Sequence, residues 1–505
     1  AYTVSEAYGK KKIYLFARDA AGNVSEAVSA SSYYIPANYG NEDTVSWNKT
    51  FIYNEDCLGK VKVVTDLSNN VYLIIGSIDS ETVHFWDPYN AGFIIKKFSS
   101  DGTELPFNGS SNGDCSSADF PCSTNGLDLA IGPIRRQYII DATGAGDNCY
   151  NDGELSITDV KVHADYLYIT GGLSSDCNFN AVLLKIDTTG TIQTSGNWSY
   201  GEYMVADGLT STFNTLSFDN ESNIYVGGIG VSITHRDEAI RKGDIWIKKF
   251  DTDGYELNFS GGLPTCQNDG SVHPCTFNGN DFAMRKIRYG TVITSVATAN
   301  AVYFAGSYEK DYGDMDYDTI LLKLNKTGAL QWEKNFFDGL QPSDDIVLNL
   351  MADSQNNIYM LNRSTYGFET MILYKLDENG NQLNVFPYYV LSNNTDYNLT
   401  SSSSPGTYLQ IGMSPPSAIT PVCVLMDNNE DFYIGTSYYD SSQSDGRLIK
   451  LSSSGVVDTV YGEKIIDSGS TGDSIEYLTI DNNNDVYVAG KYSTTWTVFL
   501  KKYTY

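Results

Sequence analysis

Histidine is nearly absent, with 4 in 505 residues, which argues against a histidine-rich metal or haem centre. No apolar run approaches the ~20 residues that a membrane-spanning helix requires, so membrane insertion is not expected. Positive charge is also short: 33 Lys and Arg stand against 62 Asp and Glu, for a net charge of −29. No Lys/Arg cluster offers the basic face that nucleic acid needs, and an anionic membrane surface repels such a chain. Strong acidity instead suits an extracellular protein that binds cations. Catalytic signatures are missing too, with no Gly-x-Ser-x-Gly elbow and no phosphate-binding loop. The many acidic residues single out no carboxylate pair for glycoside cleavage.

What is present is a repeat. A strand carrying a tyrosine recurs seven times, at Tyr72, Tyr168, Tyr225, Tyr303, Tyr359, Tyr433 and Tyr487. Each is followed by an apolar run ending in lysine, at Lys96, Lys185, Lys248, Lys323, Lys375, Lys450 and Lys501. Six residues ahead of the tyrosine stands an aspartate in most copies: Asp66, Asp219, Asp353, Asp427 and Asp481. Asn- and Asp-rich stretches between the two read as Asx turns. After the lysine come pairs such as Asp101-Gly102, Asp253-Gly254 and Asn379-Gly380, which suit two-residue hairpin turns. Each unit therefore reads strand A, Asx turn, strand B with Tyr, loop, strand C with Lys, Gly turn, strand D. That pattern is a propeller blade.

The last unit reaches Tyr505 without a strand D. Val45-Ser46-Trp47-Asn48-Lys49-Thr50-Phe51, ahead of the first strand A, matches the fourth strand Leu330–Phe336 almost position for position. The expected fold is therefore all-β, a seven-bladed β-propeller over residues 45–505, closed by an N-terminal outer strand that leaves no free edge. A solenoid of the same unit would need capping ends and leaves the split unit unexplained.

Asp219-Asn220-Glu221-Ser222-Asn223-Ile224-Tyr225-Val226-Gly227-Gly228, followed by Asp244–Phe250 and Asp253-Gly254, resembles the bacterial SBBP seven-bladed propeller repeat. The resemblance covers residues 45–505. It implies a secreted or cell-surface bacterial protein and supplies no shared catalytic residues. Residues 8–25, with Tyr14, Phe16 and the turn Ala21-Gly22-Asn23, resemble the last hairpin of a bacterial Ig-like module; Tyr33-Tyr34-Ile35 is its return. Residues 1–35 are thus expected to be the C-terminal part of such a domain, and 36–44 its linker. The rest of the module is expected to precede Ala1. The alternative is self-association, the hairpin completing a neighbour's sheet.

Eight cysteines are present. Cys115 and Cys122 share one polar stretch, Cys266 and Cys275 another, and neither pair has CxxC spacing. They read as disulfides, with Cys149–Cys177 a third within blade 2, hence an oxidising compartment. Cys57 and Cys423 have no assigned partner. The long segments 77–91, 108–154, 228–243, 261–291, 307–317 and 392–417 are assigned to B–C and D–A connections, which elaborates one face. Seven cysteines, all but Cys423, are assigned to that face.

Function is expected on those loops. Trp86, Tyr89, Tyr312, Tyr317, Tyr438, Tyr439 and Trp496 offer flat rings near carboxylates, suited to a glycan or to a protein partner at the cell surface. Packing of the loops onto the blades is the competing reading. Asp311, Asp314, Asp316 and Asp318 are candidate Ca²⁺ ligands, against a solvated acidic loop. A binding or adhesion module is the leading expectation. A propeller enzyme acting on polysaccharide or a small molecule is the second, and a subunit of an extracellular filament or sheath the third.

Overall fold

The computed structural model describes residues 9–15, 28–34, 45–52, 60–78, 92–108, 122, 126–131, 154–174, 179–198, 202–204, 210–231, 244–266, 273–285, 288–309, 317–336, 345–364, 370–383, 408–412, 418–439, 444–453, 458, 463–466, 472–492 and 497–504. Among them, all regular structure is strand.

Gly9–Leu15 and Val28–Tyr34 pair as an antiparallel hairpin that forms a sheet of its own. Seven further sheets follow the A-B-C-D order. The innermost strands are Val61–Thr65, Glu154–His163, Thr210–Phe218, Arg288–Ala297, Asp345–Ala352, Ala418–Met426 and Asp473–Ile480. Each packs against the next, and the last packs against the first, so the sheets form a closed ring. The seventh sheet takes Val45–Ile52 as its outer strand, paired with Thr497–Tyr503, as the repeat requires. The chain is a seven-bladed β-propeller.

Its core is not one mass. Buried residues form seven clusters, one between each neighbouring pair of blades, including the pair formed by the first and the last. Alternation along each strand explains this, since successive side chains face opposite neighbours.

The repeat residues hold one rim together. The Asp481 carboxylate accepts from the backbone N–H groups of Asn483 (2.8 Å) and Asp485 (3.0 Å) and from the Tyr487 hydroxyl (2.9 Å). Asp66, Asp219, Asp353 and Asp427 repeat this Asx-turn arrangement. In every blade a lysine paired across from the tyrosine lies over its ring: Lys97, Lys185, Lys249, Lys323, Lys375, Lys450 and Lys502. In blades 1, 3 and 7 this is the residue after the lysine picked out in the sequence. Lys96 and Lys248 instead reach Glu104 (3.1 Å) and Glu256 (2.8 Å) on their own outer strands.

The ammonium groups also latch blade to blade. Lys97 donates to Thr188 O (2.8 Å), Lys185 to Thr252 O (2.6 Å), Lys323 to Glu378 O (2.7 Å) and Lys502 to Ser100 O (3.0 Å). Indoles on the outer strands, or ahead of one in the case of Trp198, share these carbonyls: Trp47 with Ser100 (3.0 Å), Trp198 with Thr252 (3.2 Å) and Trp332 with Glu378 (3.2 Å). The likeness of the Trp47 and Trp332 strands is thus a likeness of role.

Two expectations need correction. The C–D turns have three residues, not two: Gly102 N donates to Ser99 O, Ser99 N donates to Thr103 O, and Gly102 adopts φ 84°. A type I turn closed by a left-handed glycine gives this form. Second, not all long segments belong to one face. In blade 1 the outer strand is split into Glu104–Leu105 and Leu129–Ile131, both pairing with Gly92–Phe98. Blade 3 does the same with Glu256–Leu257 and Phe282–Arg285. In blade 5, Gln382 bridges Leu376, and Tyr408–Gly412 resumes the same edge. In blades 1, 3 and 5 the chain thus leaves the outer strand on an excursion, after Leu105, Leu257 and Gln382, and returns to the same edge at Leu129, Phe282 and Tyr408. Cys122 and Cys275 bridge Ala130 and Ala283 inside these excursions, so Cys122, Cys266 and Cys275 belong to the circumference. Residues 79–91, 132–153 and 232–243 lie outside the described residues.

Candidate functional site

Cys266–Cys275 is a disulfide, closing a sequence separation of 9. Cys122 is also disulfide-bonded, its partner lying outside the described residues. Cys423 is free and buried. Cys57, Cys115, Cys149 and Cys177 lie outside the described residues, as do Trp86, Tyr89, Tyr312, Trp496, Asp311, Asp314 and Asp316. Tyr438 and Tyr439 end strand B of blade 6, at the loop-bearing face. Tyr317 opens strand C of blade 4 and is half-buried. Asp318 beside it is buried and lies 3.4 Å from the Tyr308 hydroxyl. Among the described residues no three His, Cys, Asp or Glu side chains converge as a metal site.

Three buried polar atoms at the same face make no hydrogen bond: Ser307 Oγ, Asn362 Oδ1 and Arg363 Nε. Ser307 lies near the loop end of strand B in blade 4 (Ala301–Glu309), and Asn362 and Arg363 near that end of strand B in blade 5 (Ile358–Ser364). Leaving such a group unpaired costs about 1–3 kcal/mol, so native proteins keep few. Here they stand near the loop ends of two neighbouring blades.

A second constellation lines the axial channel. Strand A carries a one-residue bulge in blades 2 to 7. The residue just past it, with its counterpart in blade 1, forms a ring: Lys62, Asp159, Thr215, Thr294, Asn349, Cys423 and Tyr477. Several members reach the following blade. Asp159 accepts from Leu216 N (3.0 Å) and Val160 N (2.9 Å). Thr215 and Ser295 hydroxyls lie 3.0 Å apart, and Asn349 donates to Val424 O (2.6 Å). Tyr477 spans from blade 7 past blade 1, its hydroxyl donating to Asp159 Oδ1 at 3.3 Å.

Lys62 is the exception in this bonded ring. Its ammonium rests 4.2 Å over the Tyr477 ring, and among the described residues no carboxylate is within ion-pair distance. Burial pushes its pKa down to about 8, Lys60 and Lys161 add repulsion, and Asp159 opposes the shift. Burial likewise drives the Tyr477 phenol well above its ordinary value, with the Asp159 charge adding to it. The Cys423 thiol is pushed up for the same reason, so it is inert as a thiolate. None of this ring was singled out in the sequence. The signal was there: each member stands ten residues ahead of its blade tyrosine, or nine in blades 2 and 4, where the turn is one residue shorter.

No family model matches the chain, and no curated protein matches it. Solved structures are similar to it. A streptogramin B lyase structure shares 8% identity, covering 91% of this chain and 98% of that one, at a TM-score of 0.40. Drosophila Semaphorin 2a shares 10%, covering 91% and 75%, at 0.42. A protein of unknown function from Dyadobacter fermentans DSM 18053 shares 10%, covering 90% and 97%, at 0.42. Likeness at this level says nothing of ligand, partner or reaction.

Proposed function

We propose that this chain is an extracellular binding module of bacterial type, an SBBP-like propeller following the end of an Ig-like domain. Its B–C and D–A face would take a hydroxyl-rich glycan at the cell surface, with a protein surface as the other ligand class. The three unpaired polar atoms at the loop ends of blades 4 and 5 carry this reading. They are hydrogen-bonding capacity held by rigid strands, and the strand that carries Ser307 leads in the chain into the segment bearing Tyr312. On the opposite rim, Lys and Trp side chains are consumed in holding blade to blade, which leaves that rim a structural role. Ca²⁺ held by Asp311, Asp314, Asp316 and Asp318 would order the blade 4 segment. The disulfides suit the oxidising compartment.

A glycan array followed by calorimetry on the best ligand tests the proposal. Tyr312→Ala and Trp86→Ala should each weaken binding at least tenfold with the fold intact, and calcium chelation should weaken it further. An array and a surface-protein pull-down that both come up empty would reject it. A filament role through the N-terminal hairpin predicts concentration-dependent assembly in light scattering. A monodisperse monomer would exclude it.

A further inference from the structure

We propose that the circumference carries a second binding site, a cavity between blades 4 and 5 that takes one neutral sugar unit. It goes beyond the loop-face reading and uses none of its residues.

One couple of residues in each repeat seals a blade against the one before it. The first is a strand D residue just after the Gly turn. The second lies on strand C, two residues ahead of the one paired with the first, and faces the preceding blade. In blade 1 the couple is Glu104 and Lys96, an ion pair at 3.1 Å, and in blade 3 it is Glu256 and Lys248, at 2.8 Å. In blades 2 and 4 it is apolar, Ile192 with Leu184 and Leu330 with Leu322, each couple packed in one cluster. Blade 5 has Gln382 and Tyr374 instead. These two can form neither an ion pair nor an apolar layer. A cavity of about 500 Å³, lined by both, opens there against Lys334 and Phe336 of the blade 4 outer strand.

The ligand class follows from the lining. Phe336 and Tyr374 are buried, with ring centroids 5.3 Å apart, and give the cavity an apolar base. The Lys334 ammonium is fixed by donating to Gly380 O at 2.6 Å, and an ammonium has three donors, so two are left for a ligand. The Gln382 side chain is exposed and bonds to no described residue, so its amide offers both a donor and an acceptor. An apolar base with a few fixed polar groups, at this volume, is the make-up of a small-molecule pocket. Groups that donate and accept suit hydroxyls, and the apolar base suits the C–H face of a pyranose. Asp377 lies within electrostatic reach of the one ammonium, so the site does not select an anion.

Saturation-transfer difference NMR on the folded chain, with the methyl glycosides of glucose, galactose, mannose and N-acetylglucosamine, tests the proposal. At least one should bind in the millimolar range, and the strongest is then titrated. Gln382→Ala, at an exposed position that cannot unfold the chain, should weaken it about fivefold, the value of one hydrogen bond. Tyr374→Lys combined with Gln382→Glu rebuilds the ion pair of blades 1 and 3. It should fill the cavity and abolish binding while the melting temperature holds. That variant leaves Trp86 and Tyr312 in place, so failure here and failure of the loop-face reading are told apart. If none of the four glycosides binds, or if binding is unchanged in Gln382→Ala or survives the double variant, the site does not exist.

Discussion

Substituting Gly102 by alanine strains the seam of the ring in two separable ways. Gly102 sits at φ 84°, where a Cβ costs about 1–2 kcal/mol. That Cβ would also lie 2.8 Å from Trp47 Cδ2. The indole is not free to swing aside, because Nε1 is bonded to Ser100 O and the ring packs between Phe98 and Tyr487, at 6.2 and 5.9 Å. Crowding of this kind costs about 1–3 kcal/mol more, for a total of about 2–5. Gly262 is the control: φ is 76° and nothing lies within 4 Å of the added atom, so only the backbone strain applies. In a Trp47→Ala background, Gly102→Ala should fall to the Gly262→Ala value, a coupling of about 1–3 kcal/mol. Urea unfolding followed by far-ultraviolet circular dichroism measures each variant. An equal cost for Gly102→Ala in both backgrounds would show that Trp47 does not rest on this turn. Closure by Val45–Ile52 would then be wrong.

Three further predictions follow from the repeat, the channel and the circumference. Burial alone would raise the Asp219 carboxyl, but bonds from Asn223, Tyr225 and the Glu221 backbone hold it below its ordinary value. Its stabilisation is therefore present above about pH 4 and lost as pH falls through the lowered value. The stability gap between the native chain and Asp219→Asn should shrink below about pH 4 in acid titrations; a constant gap would refute the assignment. Lys62 has the opposite sign, because a lowered lysine pKa means that the charged form disfavours the folded state. Lys62→Met should gain about 1–3 kcal/mol below pH 8, and this gain should fade between about pH 8 and 10.5. A pH-independent gain in thermal scans would remove the buried-charge account. Reducing Cys266–Cys275 releases a loop with a separation of 9 residues, worth about 2–3 kcal/mol locally. Amide exchange should rise in residues 258–281 and leave the inner strands unchanged; global unfolding on reduction would contradict the placement of this segment outside the core.

The blade count and the Asx turns were legible because they are local patterns, the tyrosine strand repeated seven times and the aspartate turn five, and the borrowed outer strand because it matches another blade's fourth strand. Asp481 and Tyr487 are six residues apart and meet within one hairpin, so their contact follows from sequence spacing. The disulfide between Cys266 and Cys275 was legible for the same reason. The excursions at 106–128 and 258–281 were misplaced because a strand that pauses and resumes looks, in sequence, like a strand that has ended. Only the pairing of Leu129–Ile131 and Phe282–Arg285 with the same edges as Glu104–Leu105 and Glu256–Leu257 shows the return.

By itself, then, the sequence determined the blades and their order: each blade is built from contacts between residues near in the chain, and the matching seventh edge leaves one way to close. The tertiary structure alone decided what meets on the axis. Lys62, Asp159 and Tyr477 come from three different blades, and Tyr477 is 318 residues from Asp159. Bulges shift the alternation of strand A, so which residue turns into the channel depends on pairing with strand B. The surroundings of Lys62 then come from neighbours that only ring closure supplies.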